Sequence, residues 1–222
     1  MKKYNLLFLS TLLLLSSCNF ENYITVYYSE IVDFLADKTK ENYTLPIKVK
    51  LELGGEESCN KDKGDIYNLL KPYFVDLQEG SCSRSDMKTY LEMKGKFQMV
   101  KDEATLDDTN YLVAFNIRES AKFIDIFVKL NSSSLNQINN YTKEKYWTKF
   151  QNKDLFVEID FINDSKENKK ITCRSCYLDG NPKPFFGFVE VKPKESTQIL
   201  LSTILVEYIL SEKPEPVFTI NK

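Results

Sequence analysis

The stretch IKVKLEL at residues 47–53 decides the fold class that this sequence predicts. Apolar and charged side chains alternate in it without a break. Because successive side chains of a β-strand point to opposite faces, this alternation indicates a strand with one buried and one solvated face. Alternating or β-branched runs predict further strands at 24–28, 91–100, 111–117, 123–130, 155–161, 170–178, 185–191, 196–201 and 217–220.

Four other segments carry helical signals. Apolar residues recur at helical spacing in 30–37, 66–74 and 203–210, and a polar segment at 135–150 has a weaker apolar seam. Ser29, Ser202 and the 131–134 cluster precede three of these segments and are of residue types that cap helix N-termini. Strands and helices do not alternate in βαβ order, and no linker divides the chain. We therefore predict one α+β domain over 24–222, with a mainly antiparallel β-sheet and three to four short helices.

The composition excludes several classes of function. The 222 residues include 30 Lys and Arg, 32 Asp and Glu and no histidine, so the formal net charge is −2. This balance does not predict the basic stripe that binds nucleic acid. Without an imidazole, Ser-His-Asp and Cys-His nucleophilic sites and His-ligated metal centres are ruled out. We expect no catalytic residue, no metal and no cofactor other than a covalent lipid.

The first 18 residues combine basic Lys2 and Lys3, an apolar run at 6–15 and the sequence LSSC at 15–18. A membrane-spanning helix needs about 20 apolar residues, and this run is half as long. The arrangement resembles the signal and lipobox of bacterial lipoproteins, which are cut before the cysteine and lipidated on its sulfur. The resemblance implies a cleaved segment 1–17, a lipid on Cys18 and a tether at 18–23. The alternative is an ordinary signal peptide.

Four cysteines remain once Cys18 is assigned to lipid. An even number in an oxidising compartment predicts two disulfides, and proximity favours Cys59–Cys82 and Cys173–Cys176 among three connectivities. A regular strand would hold Cys173 and Cys176 about 10 Å apart, beyond the reach of a disulfide, so their bond requires a local turn. A redox-active CxxC motif and a four-thiolate zinc site are the alternatives.

An aromatic cluster at Phe185, Phe186 and Phe188 is the main candidate for binding a partner. Three aromatic residues within four positions cannot all face one core from a single strand, so at least one should point outward. The alternative is a strand that is buried on both faces. Tyr146 and Trp147 form a second, weaker candidate.

The stretches LSSC at 15–18, VYYS at 26–29 and LPIKV at 45–49, with Cys59 and Cys82, make the chain similar to uncharacterised lipoproteins of proteobacteria and their phages or prophages. The resemblance implies membrane anchoring and a role in phage exclusion or envelope assembly, and it transfers no functional residue. Asn19 stands where enterobacterial lipoproteins retained on the inner membrane carry Asp, which implies the outer membrane, facing the periplasm.

These observations predict a non-enzymatic lipoprotein that binds a protein partner in the bacterial envelope. Two alternatives remain open from the sequence. One is a periplasmic thiol-disulfide exchange protein that uses Cys173 and Cys176. The other is a purely structural envelope lipoprotein without a specific ligand.

Overall fold

The computed structural model describes residues 19–106, 110–146, 150–211 and 215–222. The strands are β1 (Phe20–Tyr27), β2 (Asn42–Leu53), β3 (Ser81–Ser85), β4 (Lys88–Val100), β5 (Val113–Glu119), β6 (Phe123–Leu130), β7 (Leu155–Ile162), β8 (Lys169–Leu178), β9 (Asn181–Val191), β10 (Ser196–Leu201) and β11 (Phe218–Asn221). The helices of these residues are α1 (Tyr28–Ala36), α2 (Glu56–Leu70), α3 (Ser132–Tyr146) and α4 (Thr203–Leu210). Strands therefore occupy most of the predicted positions.

The sheet closes on itself, so the predicted α+β sheet with helices is wrong. Nine strands form a ring in the order β10, β7, β1, β2, β4, β5, β6, β11 and β8, and β8 pairs again with β10. The β1–β7 and β4–β5 pairs are parallel, and the other neighbours in the ring are antiparallel. An open sheet and a barrel share the same alternation of buried and exposed residues, so the sequence pattern did not distinguish them.

One apolar core occupies the barrel. The inward-facing residues of successive strands join into a single cluster that also includes Ile31 and Phe34 of α1 and Leu205 and Val206 of α4. Aromatic rings contribute to this core, and Phe97 and Phe115 pack edge to face with centroids 4.8 Å apart. Helices α1 and α4 therefore pack against the barrel and contribute to the same core.

Capping side chains set the starts of two helices. The predicted cap at Ser202 is confirmed, because its hydroxyl accepts a hydrogen bond from the Leu205 backbone N–H at 3.2 Å. Helix α3 begins at Ser132, three residues before the predicted start, and Asn131 accepts a hydrogen bond from the Ser134 backbone N–H at 3.0 Å. The first helix differs from the prediction, because α1 begins at Tyr28 and not after Ser29. The Ser29 hydroxyl instead donates to Asp164, which ties α1 to the loop after β7.

Both predicted disulfides are present. Cys59 in α2 is bonded to Cys82 in β3, with Cα atoms 6.0 Å apart, and Cys173 is bonded to Cys176 within β8, with Cα atoms 6.3 Å apart. The local turn that the second bond requires lies at Ser175, which has a φ of 51° and coincides with a register shift between β8 and β9. The disulfide therefore spans a bulge in an otherwise regular strand.

The amino-terminal predictions meet the structure only in part. The segment 1–17 and Cys18 lie outside the described residues. Phe20, expected in a tether, is the first residue of β1. Among the described residues, no helix is long and apolar enough to cross a membrane.

Candidate functional site

Strand β9 lies outside the ring, on the outer edge of β8. Residues 171–173 and 176–178 of β8 each have a partner in β9 and a second partner in β11 or β10. In the described part of the chain, β9 pairs with β8 alone. Its other edge therefore presents backbone groups that no described strand satisfies, which is the property that lets an edge strand pair with another chain.

The three phenylalanines of β9 are exposed. Phe185, Phe186 and Phe188 expose 80%, 67% and 61% of their surface, so the alternative of a strand buried on both faces is wrong. We call these residues the aromatic strip. Phe186 lies opposite Arg174 and Phe188 opposite Thr172, whereas Gly187 lies opposite buried Cys173, so the two rings share the outer face of the hairpin.

Two cations hold the rings of the strip. The Arg174 guanidinium lies 4.5 Å from the centroid of the Phe186 ring, and the Lys170 ammonium lies 4.0 Å from that of Phe188. Arg174 also forms an ion pair with Glu215. Such cation–π contacts restrict the rings to one orientation while leaving their outer surfaces in water. Phe186 and Phe188 are therefore pre-ordered, which lowers the entropy lost when they bind.

A shallow pocket adjoins the strip. Its volume is about 310 Å³, and Phe186 and Arg174 form one side while Pro216 and Thr219 form the other. This space is large enough to hold one apolar side chain. An apolar anchor beside an exposed aromatic ring is the usual centre of a protein interface.

Two prolines limit the usable edge of β9. Pro182 and Pro184 have no N–H and therefore cannot donate hydrogen bonds to an added strand. Residues 185–191 keep this capacity, and they include the whole aromatic strip. Strand addition on β9 is thus confined to the segment that carries the rings.

The turn at the end of the hairpin fixes the position of β9. Asp179 and Gly180 have φ values of 48° and 75°, as a two-residue hairpin turn demands. The Asp179 carboxylate accepts a hydrogen bond from the Gln198 backbone N–H at 2.9 Å and another from the Thr197 hydroxyl. The hairpin is therefore tied to β10 of the ring.

The other sequence-derived candidates lie elsewhere. Tyr146 is the last residue of α3, and Trp147 lies outside the described residues. Cys173 and Cys176 expose 2% of their surface and lie within β8, not at a helix N-terminus. Among the described residues, no cluster of His, Cys, Asp and Glu side chains is arranged to hold a metal ion.

A charged groove, which the sequence analysis did not predict, lies on the outer face of β7, β1, β2 and β4. The groove has a volume of about 420 Å³, with Glu158 and Asp160 on one side and Lys48 and Lys94 on the other. Tyr23 lies between them. Burial and the hydrogen bond that its hydroxyl donates to Glu21 raise the pKa of Tyr23.

Glu158 provides a test of the electrostatics of this groove. Burial raises the pKa of Glu158 and the nearby Asp160 raises it further, and together they outweigh the hydrogen bond from Gln198, which lowers it. The ionised form of Glu158 is therefore less favourable in the folded state than in the unfolded state, which costs stability at pH 7. We expect Glu158→Gln to raise the free energy of unfolding at pH 7 by less than about 1 kcal/mol, because solvent screens the site.

The gain should disappear as the pH falls below the ordinary Glu value of 4.5, where both states are protonated. Urea unfolding at pH 7 and pH 4 measures the difference in the free energy of unfolding between Glu158→Gln and the wild-type protein. The exposed Glu79→Gln serves as the control and should leave stability unchanged. A destabilised Glu158→Gln at pH 7 would contradict the assignment.

Residues 20–222 match the family model of a domain of unknown function, DUF7424. The chain belongs to this family. The matched range begins at the first residue of β1 and runs past β11, so the family domain and the barrel with its flanking strands coincide. No curated protein and no solved structure matches the chain.

Proposed function

We propose that this DUF7424 domain is a non-enzymatic, lipid-anchored protein of the bacterial cell envelope that binds a protein partner through β9. The observation that carries the proposal is the aromatic strip: three rings, each more than half exposed, on the unpaired edge of an outermost strand. Exposed aromatic side chains close together on a free strand edge are characteristic of protein interfaces. The groove and the buried core offer no comparable apolar surface.

The chemistry of the strip suits strand addition. An extended segment of a partner would take up the free backbone groups of 185–191, while its side chains contact Phe186 and Phe188. Burial of a phenylalanine removes about 150–250 Å² from water, so three rings contribute much of the apolar core of a small interface. The neighbouring pocket would receive one apolar side chain.

The proposed anchor rests on the amino-terminal sequence. LSSC at 15–18 supports lipidation of Cys18, and Asn19 supports the outer membrane, facing the periplasm. Two disulfides in a chain with five cysteines fit an oxidising compartment. With β1 beginning at Phe20, the domain would lie close to the lipid surface. A role in phage exclusion or envelope assembly accords with the lipoprotein resemblance.

No observation favours the two alternatives. A thiol-disulfide exchanger needs an accessible sulfur with a depressed pKa, and Cys173 and Cys176 are buried within a strand. A purely structural lipoprotein would have no use for three exposed rings, because exposed apolar groups invite non-specific association.

Site-specific cross-linking in the living cell tests the proposal. A photo-reactive amino acid at Phe185, the most exposed ring, should give a discrete cross-linked protein species in the membrane fraction. The matched control is Met87, which is 89% exposed in the turn between β3 and β4 and should give none. Equal yields at the two positions, or adducts with lipid alone at Phe185, would refute binding at the strip.

The Cys18→Ala variant tests the anchor separately. It should lack the acyl chains that the wild-type protein carries, which metabolic labelling with a fatty acid measures. A wild-type chain that is labelled no more than Cys18→Ala would remove the anchor from the proposal and leave the strip intact.

A further inference from the structure

Two β9 strands can pair so that the apolar residues of one lie opposite those of the other. We infer that the partner bound at β9 is a second copy of this chain, joined by antiparallel pairing of the two β9 strands about a two-fold axis at Gly187. The inference rests on the proposed binding surface and names its occupant.

The order of residues in β9 carries the argument. Antiparallel pairing centred on Gly187 places Phe186 opposite Phe188 of the second copy, and Phe188 opposite Phe186, on one face. The same register places Phe185 opposite Val189. Every residue pair between positions 185 and 189 then consists of apolar residues or glycine, so apolar side chains of the two copies cover each other. Directly opposed aromatic and β-branched pairs are the stabilising contacts of antiparallel sheets.

Neighbouring registers fit less well. A shift of the centre to Phe186 brings Pro184 opposite Phe188 and Gly187 opposite Phe185, so the two copies of Phe186 form the single ring pair. A shift to Phe188 places Glu190 opposite Phe186, which puts a carboxylate against a ring and again leaves one ring pair. The arrangement centred on Gly187 forms two ring pairs and leaves Glu190 opposite Pro184, at the border of the contact.

Charged side chains flank this contact. Lys170 and Arg174 belong to β8 and reach over the rings of Phe188 and Phe186, and Arg174 is neutralised by Glu215. The Lys183 side chain lies over Gly187. The apolar pairs must therefore outweigh the repulsion between the cations of the two copies.

The neighbouring structure leaves room for a strand there. The outer edge of β9 faces no described strand, and the prolines at 182 and 184 end the pairing before the hairpin turn. A contact of about five to seven residues on each chain is small, and small interfaces dissociate readily. The test must therefore capture a transient dimer in a defined register.

Cysteine cross-linking between two differently substituted full-length chains meets this need. Mixed Phe186→Cys and Phe188→Cys chains should form an intermolecular disulfide under mild oxidation, and so should mixed Phe185→Cys and Val189→Cys chains. Each pair is directly opposed in the proposed register and lies within disulfide distance. The second mixture leaves Phe186 and Phe188 intact, so loss of a ring does not confound both measurements.

Single variants serve as controls. Phe186→Cys alone should cross-link about tenfold less than the mixture, because its counterpart is displaced by two residues, beyond the roughly 7 Å limit between Cα atoms. Met87→Cys measures random collision. If both mixtures give a higher yield of intermolecular disulfide than the single variants, the dimer is supported. If the mixtures give the same yield as the single variants, the dimer is wrong.

The outcome also separates this inference from the proposed function. Phe185 could cross-link in the cell to a different protein while neither cysteine mixture reacts. In that case the partner is not a second copy of this chain, and the proposal that β9 binds a protein is retained. If Phe185 gives no protein adduct and the mixtures do not react, both are wrong.

Discussion

Replacing Phe115 with alanine is expected to lower the free energy of unfolding by about 3–5 kcal/mol. Phe115 is fully buried and packs edge to face on Phe97, with ring centroids 4.8 Å apart. These rings come from β5 and β4, which are joined by a short parallel ladder of three residue pairs. Removal of one ring therefore leaves a cavity at a junction with little backbone pairing. Chemical denaturation of the purified protein measures the loss.

The matched control is Phe156→Ala. Phe156 lies on the outer face of β7 and is 36% exposed, so its removal opens no closed cavity. We expect it to cost less than half as much as Phe115→Ala. Equal losses at the two positions would contradict a core that is enclosed by the barrel.

Removal of the Cys59–Cys82 disulfide is the second large expected effect. The bond closes a loop with a sequence separation of 23 residues, and the chain-entropy estimate for a loop of this length is about 3.4 kcal/mol. The bond joins α2 to β3, a strand that pairs only with β4 among the described residues. The Cys59→Ala/Cys82→Ala variant should therefore unfold at a lower denaturant concentration than the wild-type protein.

The second disulfide provides an internal comparison. Cys173 and Cys176 are separated by three positions, and the same estimate gives less than about 2 kcal/mol for so short a loop. The Cys173→Ala/Cys176→Ala variant should thus be the more stable of the two double variants. The reverse order would show that the bulge in β8 depends on its disulfide more than α2 and β3 depend on theirs.

Strand positions followed from the sequence because alternation is a local property. The runs around Val49, Ile126 and Ile159 place one apolar face on the core whether the sheet is open or closed. Closure depends instead on which edges meet. Leu200 of β10 pairs with Glu158 of β7 and with Tyr177 of β8, and nothing local to these residues specifies that both contacts form. The sequence pattern therefore could not predict that the sheet closes into a barrel.

Strand β3 was missed for a related reason. Its sequence, SCSRS at 81–85, has no apolar alternation, and it is held by its ladder with β4 and by Cys82. The early start of α1 was missed because Ser29 is a good capping residue, yet its hydroxyl bonds to Asp164, far along the chain. In both cases a tertiary contact outweighed the local signal.

The candidate site was also predicted from the sequence only in part. Three phenylalanines within four residues indicated that part of β9 faces outward, but the exposure of all three depends on the position of β9 outside the ring. The cations beside Phe186 and Phe188 come from β8 through the hairpin register, which the bulge at Ser175 sets. The charged groove joins side chains from four strands and has no sequence signal.

Amide hydrogen exchange across β9 in the membrane-bound protein tests the central claim most directly. Alternate amides of residues 185–191 point away from β8, and they exchange rapidly unless another chain covers them. We predict slow exchange of these amides in the wild-type protein and rapid exchange in Phe186→Lys, with Met87→Lys behaving like the wild type. Rapid exchange of the same amides in the wild-type protein on its membrane would contradict the claim that the β9 edge binds a partner.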